Sequence, residues 1–290
     1  MFEGAVVNGN NATAIMKVGG GTWTLSGIST YTGPTIVSEG VLALTGAGTI
    51  GSTLTIDLSA GSTLDVSGRT DGTLGLNSPQ VLTGEGTVLG SVTVLSGATV
   101  SPGENLAGSP AGSGVVGVLT ITNTLVLQAG SAVWLDLDGS SLTNDVIRGL
   151  AQVTYGGTLN LSGYPGVAGQ VFKLFDAAVY AGAFAAINPP TPGYGLEWDL
   201  SKLAVDGTIR VVPQRARIGT LTLGNGQVIV SGTNGLPNAT YYLLSSTNVA
   251  LPLAQWQPLG TNQFSWDGSF SETNAVNPAE GGRFYLLQQP

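Results

Sequence analysis

The sequence predicts an all-β protein, a right-handed parallel β-solenoid (β-helix) followed by a small antiparallel β-sandwich-like domain. Short runs of alternating apolar and polar residues, most of them ending near glycine, fill residues 1–210, and 45 of the 290 residues are glycine. A Gly-x-x-apolar phrase recurs along these runs. The clearest Asn-Gly hairpin signals occur only later, at residues 225–226 and 234–235. Together these observations favour a coil of stacked strands first and hairpins afterwards.

The strands are predicted from their period. Residues 22–26, 40–44, 54–58 and 91–95 alternate in polarity, which places one set of side chains inward and the other outward. Glycine at the ends of the runs suits tight corners. The phrase Gly-Ser-Thr-Leu at 51–54 returns at 61–64, and Gly-Ser-Ala-Val follows at 130–133. Such recurrence indicates rungs that bury their inward residues on one another.

The predicted organisation is a solenoid over residues 1–212, a linker over 213–218 and an antiparallel β domain over 219–290. Residues 101–117 are rich in Gly, Pro and Ser and are predicted to form a long loop, either a plain surface loop or a binding loop. After 212, runs such as 220–223, 227–230 and 241–244 are separated by turn signals.

Composition excludes several kinds of site. The chain has no cysteine and no histidine, so it has neither disulfides nor a Ser-His-Asp triad. The net charge is −8, with 6 basic and 14 acidic residues before 213 and 3 of each after it. This balance argues against nucleic acid as a partner. No apolar run approaches the roughly 18 residues of a spanning helix, so no membrane insertion is expected.

Residues 17–44 resemble the autotransporter-associated β-strand repeat. That repeat runs Gly-x-Leu-x-Leu-x-Gly, then Tyr-x-Gly-x-Thr, then Gly-x-Leu. The matching positions are Gly21, Trp23, Leu25, Gly27, Tyr31, Gly33, Thr35, Gly40 and Leu42. Trp23 stands where leucine is more usual. The resemblance implies a β-solenoid exported to the cell surface or beyond, without catalytic residues.

Two further stretches carry resemblances. Residues 100–212, with phrases such as SPGENLAG and LEWDLSKLAVDGTIRVV, are similar to the later passenger region of the same proteins. Residues 239–290, with YYLLSSTNVALPLAQWQPLG and RFYLLQQP, resemble a C-terminal module of large secreted proteins from environmental Gram-negative bacteria. The start of the chain has no signal-peptide pattern, so we expect that a leader has been removed or trimmed and that the protein is extracellular or on the outer cell surface.

Four oxygen donors form a weak candidate for calcium, namely Asp136, Asp138, Asn144 and Asp145. The alternative is a solvated strand face followed by a turn, because the stretch lacks the spacing of an EF-hand. We expect no other metal and no cofactor.

Two other sets of residues bear on function. Glu197 and Asp199 form the best adjacent carboxylate pair for a polysaccharide-degrading enzyme, but they lie in a phrase that is structural in the resembling family, so no catalytic residues are expected. Tyr241, Trp256 and Trp266 would stack on glycan rings if exposed, or fill the core of the small domain if buried.

The sequence therefore favours a non-catalytic structural protein of the cell surface or of an extracellular fibre, with self-association or contacts to other surface proteins. The open ends of a solenoid would allow head-to-tail stacking. The alternative is an adhesin or carbohydrate-binding surface protein, and a more distant one is a polysaccharide-degrading β-helix enzyme.

Overall fold

The computed structural model describes residues 4–103, 115–164, 166–277 and 279–290. The chain forms two compact units. The first comprises residues 1–190 and 199–210, and the second comprises residues 191–198 and 211–290. Long parallel sheets in the first unit confirm the predicted solenoid class, and the second unit is antiparallel. Among the residues described, no helix is long and apolar enough to cross a membrane.

One face of the solenoid is a sheet in which the strands of successive rungs pair in parallel. In spatial order its strands are β1 (Ile15–Lys17), β3 (Thr35–Val37), β5 (Thr55–Leu58), β8 (Val81–Gly84), β11 (Thr99–Pro102), β14 (Ala132–Asp138), β17 (Thr158–Tyr164) and β20 (Ala186–Asn188). The short β15 (Thr143–Asn144) pairs antiparallel with β14. Residues 104–114 of the predicted long loop lie outside the described residues.

The second sheet contains two rows of strands joined by one long strand. The first row is β2 (Thr22–Leu25), β4 (Val41–Leu44), β6 (Thr63–Asp65), β9 (Thr87–Leu89) and β12 (Val118–Ile121). The other row is β7 (Thr73–Leu76), β10 (Ser91–Val94) and β13 (Thr124–Leu127). The long strand β16 (Val146–Tyr155) pairs with β12 through its first half and with β13 through its second, and β19 (Phe175–Gly182) pairs with β16.

Inward side chains form continuous buried ladders because the strands pair in register. In the first sheet the fully buried ladder is Ile56, Leu82, Val100, Val133 and Leu159. In the second sheet it is Leu42, Leu64, Val88 and Ile121. Each such side chain contributes about 1.5–3 kcal/mol relative to an exposed one. The ladders are therefore the main source of the solenoid's stability.

Part of the chain folds back over the last rungs. Strand β18 (Val171–Lys173) pairs antiparallel with β22 (Thr208–Pro213), and the short helix α1 (Leu203–Asp206) precedes β22. The hydroxyl of Tyr155 donates to the carbonyl oxygen of Leu203 at 3.0 Å. The Tyr155 ring packs edge-on against Phe175 and stacks on Phe184, with centroids 5.1 and 4.6 Å apart. These contacts close the last rungs with aromatic side chains.

The second unit contains two three-stranded antiparallel sheets. One has the order β23 (Arg217–Gly224), β24 (Gln227–Thr233) and β27 (Phe270–Ala275), and the other has the order β26 (Gln257–Gln263), β25 (Thr240–Ser246) and β28 (Phe284–Gln288). A 3₁₀ turn spans Leu253–Gln255. The buried core consists of Val228, Val230, Tyr241, Leu243, Phe264 and Phe270.

The chain between the solenoid and β23 is shorter than the predicted linker 213–218. Strand β22 continues through Pro213 and β23 begins at Arg217, so only residues 214–216 separate the two strands. Strand β21 (Leu196–Asp199) precedes α1. Strands thus extend into both ends of the stretch whose proline and charged residues suggested a break, and the linker boundaries stay a prediction.

A buried chain of hydroxyls ties the first rungs together. The hydroxyls of Tyr31 and Thr35 are 2.5 Å apart, the Thr35 hydroxyl donates to that of Thr53 at 3.2 Å, and Thr53 donates to the carbonyl of Gly33 at 2.6 Å. Tyr31, Thr35 and Thr53 are fully buried. Burial raises the pKa of Tyr31 to about 12, so its phenol stays protonated and able to donate. Gly33 is required at its position because a Cβ there would overlap the backbone of Thr13.

Replacing Tyr31 with phenylalanine is expected to lower the free energy of unfolding by about 1–3 kcal/mol, because the buried Thr35 oxygen loses one of its two hydrogen-bond partners. Urea denaturation followed by circular dichroism measures the change. The Thr35→Val variant and the double variant complete the cycle. The double variant should cost less than the sum of the two single variants, since both partners are then absent. Simple additivity would show that the Tyr31–Thr35 contact contributes nothing.

Candidate functional site

The four residues of the calcium prediction lie from β14 to the start of β16, and their side chains bond to protein groups. Asp136 and Asp138 are in β14, Asn144 is in β15, and Asp145 precedes β16. Asp136 is buried and accepts a hydrogen bond from the Ser162 hydroxyl. Asn144 donates through its amide to the carbonyl oxygens of Asp145 and Lys173, both at 2.7 Å. These contacts hold neighbouring rungs together.

Asp138 faces solvent and closes a turn. Its carboxylate accepts from the backbone N–H of Ser140 at 2.9 Å, from the Ser140 hydroxyl and from the Ser141 hydroxyl at 2.5 Å. The two serine hydroxyls lower the pKa of Asp138 to about 2, so this carboxyl is ionised at neutral pH. Within the described ranges, no three Asp, Glu, His or Cys side chains converge as metal ligands. Calcium binding stays a prediction.

Asp145 is the buried carboxyl of this region. One of its oxygens accepts the backbone N–H of Gly117 at 2.6 Å, and the other accepts the backbone N–H of Asp136 at 2.9 Å. It thereby joins the segment that leads into β12 to strand β14. Burial raises the pKa of Asp145 to about 7, against the lowering effect of the two N–H donors, and the nearby charges of Asp136 and Glu85 raise it further.

One member of the carboxylate pair predicted as the best hydrolase candidate, Asp199, is held ionised by its neighbours. Asp199 accepts from the backbone N–H of Ser201 at 3.0 Å and pairs with Arg210 at 2.9 Å. The Ser201 hydrogen bonds and the Arg210 guanidinium lower the pKa of Asp199 to about 2. Glu197 is exposed on the same strand.

The three aromatic residues predicted as glycan contacts have different environments. Tyr241 is buried in the core of the second unit and its hydroxyl bonds to Glu272 at 2.5 Å. Trp256 is also buried, and its indole N–H donates to the Leu251 carbonyl at 3.1 Å. Trp266 is 73% exposed. Tyr241 and Trp256 therefore present no ring face to a ligand in this structure, whereas Trp266 does.

The structure adds one aromatic residue that sequence reasoning missed. Tyr194 is 56% exposed, and its ring meets that of Trp266 edge-to-face, with centroids 5.7 Å apart and planes at 90°. The only signal available was a lone tyrosine in the Pro- and Gly-rich stretch 189–195, more than seventy residues before its partner.

The geometry of the first rungs explains the repeat pattern. Leu25, Tyr31, Thr35 and Leu42 all point inward and are fully buried, while Gly33 admits a close backbone contact. Residues 16–44 match the passenger-associated-transport repeat. The predicted resemblance is thus confirmed for this stretch. The transport repeat is characteristic of autotransporter passengers and implies a secreted or outer-surface protein. A search of curated proteins finds no match to the chain.

The raised pKa of Asp145 predicts a pH-dependent stability. Between its ordinary value of 3.8 and about 7, the folded chain holds a proton that the unfolded chain releases. The free energy of unfolding should therefore fall as the pH rises from about 4 to about 7. Above about pH 7 the Asp145 carboxyl no longer contributes to it. Asp145→Asn removes this slope, so its destabilisation relative to wild type should be largest near pH 5 and smallest at pH 8. Urea midpoints at pH 5, 6.5 and 8 measure it.

Asp138→Asn is the matched control. The pKa of Asp138 is depressed, so its stabilising contribution is complete above 3.8 and is lost only as pH falls toward about 2. The difference in the free energy of unfolding between Asp138→Asn and the wild type should be constant between pH 5 and 8. Parallel pH profiles for wild type and Asp145→Asn would contradict the assignment of a titrating group to Asp145.

Proposed function

We propose that the chain is a non-catalytic structural solenoid, presented on the outer cell surface or released from the cell. The observation that carries this proposal is the unbroken buried ladder that runs through successive rungs, beginning in the transport repeat. The inward side chains of the described rungs are mostly Leu, Ile and Val, and they pack against one another. The outward positions are largely threonine and serine, which suit a solvated face.

The placement of the carboxyl groups supports the absence of catalysis. Glycoside hydrolysis needs one carboxyl that is protonated near neutral pH and a second that is ionised. The pKa of Asp199 is depressed, while Asp145, whose pKa is raised, is buried and bonded through both oxygens to backbone N–H groups. Neither arrangement provides an accessible general acid.

Self-association through the first rung is the partner interaction that we propose. Among the described strands, β1 and β2 each pair with one strand only, so each has an edge that another chain can extend. Lys17 restrains this. It lies in register with Val37 on the inward side, is 7% exposed, and its ammonium donates to the carbonyl oxygens of Val18, Gly19 and Glu39. An inward charge on an edge strand disfavours a further rung, because the apolar inward side chains of that rung would have to pack beside the ammonium group.

Replacing Lys17 with valine should lengthen the assemblies. We expect the wild-type protein to form short, concentration-dependent end-to-end rods, and the variant to form longer filaments with an axial repeat of one subunit. Negative-stain electron microscopy at matched concentrations provides the comparison. Indistinguishable single particles from both proteins at every concentration would rule out association through this edge.

The absence of catalysis is tested on the purified protein, and the location of the protein is tested on the cells that produce it. The purified chain should release no reducing sugar from pectin, alginate or xylan, and antibodies raised against it should label intact producing cells or the culture medium. Sugar release that disappears in Glu197→Gln would overturn the non-catalytic assignment. Recovery of the native protein in the cytosolic fraction alone would overturn the surface assignment.

A further inference from the structure

Two aromatic side chains of the second unit are exposed together. Trp266 and Tyr194 expose 73% and 56% of their surface and are in edge-to-face contact. The other aromatic rings named in this unit's core, those of Tyr241, Phe264 and Phe270, are buried against one another. Large aromatic side chains contribute most to stability when buried, so a paired exposed indole and phenol have a cost that folding alone does not explain.

The polar atoms of this pair are also free. Within the described residues, neither the indole N–H of Trp266 nor the hydroxyl of Tyr194 makes a hydrogen bond to the protein. The buried aromatics differ, since the Trp256 indole donates to Leu251 and the Tyr241 hydroxyl bonds to Glu272. The exposed pair therefore offers two ring surfaces, one donor and one group that both donates and accepts.

Three loops that approach one another at glycines support the pair. The carbonyl of Gly235 lies so close to Gly195 and Gly268 that a Cβ on either glycine would overlap it. The N–H of Gly235 donates to the Gly268 carbonyl at 2.9 Å, and the ring of Phe264 packs directly on Gly235. Tyr194 directly precedes Gly195, and Trp266 lies two residues before Gly268. Each aromatic residue is therefore next to a close backbone contact that leaves no room for a side chain.

The Trp266 turn is fixed from within as well. Ser265 donates its backbone N–H to the Ser269 carbonyl, and Gly268 donates to the Ser265 carbonyl, both at 2.9 Å. The Asp267 carboxylate accepts the backbone N–H of Ser269 at 3.0 Å. A ring held on a fixed turn loses little conformational entropy when a ligand binds.

We propose that Trp266 and Tyr194 form a binding site for a neutral saccharide. A pyranose ring has an apolar C–H face that stacks on an aromatic ring and a rim of hydroxyls that can meet the free indole N–H and phenol. A protein partner would need about 800 Å² on each side, far more than two side chains provide. The Asp267 carboxylate next to Trp266 disfavours acidic sugars, which selects a neutral one.

Soluble cellohexaose, xylohexaose and mannohexaose are the probes, with an oligogalacturonate of the same length as the acidic comparison. We expect at least one neutral hexasaccharide to change the tryptophan fluorescence and to bind in calorimetry, and the acidic one to bind more weakly. Trp266→Ala and Tyr194→Ala should each weaken binding at least about tenfold, the loss of roughly 1.4 kcal/mol that one ring contact provides.

Leu223→Ala is the control, because Leu223 is 69% exposed in the same unit. It should bind as wild type does, and all variants should keep the wild-type melting temperature within a few degrees because the changed side chains are exposed. The proposal is overturned if no neutral hexasaccharide binds, or if Trp266→Ala binds unchanged. It is also overturned if Trp266→Ala abolishes a dimer in sedimentation while sugar binding persists, since the pair would then be a protein contact.

Discussion

The register of parallel pairing is the constraint on which the solenoid depends. Each inward Leu, Ile or Val is buried only if the strands of the neighbouring rungs place their own inward residues directly beside it, as Leu42, Leu64 and Val88 do. A slip of one residue would turn every side chain of that strand to the opposite face. Glycines at corners and the bonded Tyr31, Thr35 and Thr53 hydroxyls keep this register through the turns. Outward side chains face solvent and do not depend on this register, and many of them are threonine or serine.

Strand class and repeat could be predicted because both are local. Alternation over four residues identifies a strand such as β5, and the nine positions of the first repeat lie within 22 residues. The joining of two rows by β16 could not be predicted. Its buried residues Ile147, Leu150, Val153 and Tyr155 depart from the period of two, and the strand pairs with β19 through a register shift between Ile147 and Leu150. Its pairing with both β12 and β13 also depends on rungs that are distant in sequence.

For the candidate site residues, the sequence shows the residue types but not whether each side chain is buried or exposed. Tyr241, Trp256 and Trp266 all lie among short strands and turns, and only tertiary packing distinguishes the two buried rings from the exposed one. The sequence placed Asp145 among four oxygen donors that a solvated strand face and turn could explain. In the structure it is nearly fully buried, and two backbone N–H groups donate to its carboxylate oxygens. Tyr194 has no local pattern at all, since its significance comes from a loop contact formed across the second unit.

The long strands β16 and β19 replace a corner by continuous pairing, and the last rungs therefore have more backbone hydrogen bonds between neighbours than the first ones. In a solenoid, each rung is held mainly by the rungs next to it, so opening proceeds locally rather than throughout the unit. Slow amide hydrogen exchange should concentrate around Val153 and Phe175, while the rungs near Ile15 exchange first. A pulling force on the chain would likewise peel the solenoid from its first rung, leaving the aromatic-closed rungs as the final mechanical anchor.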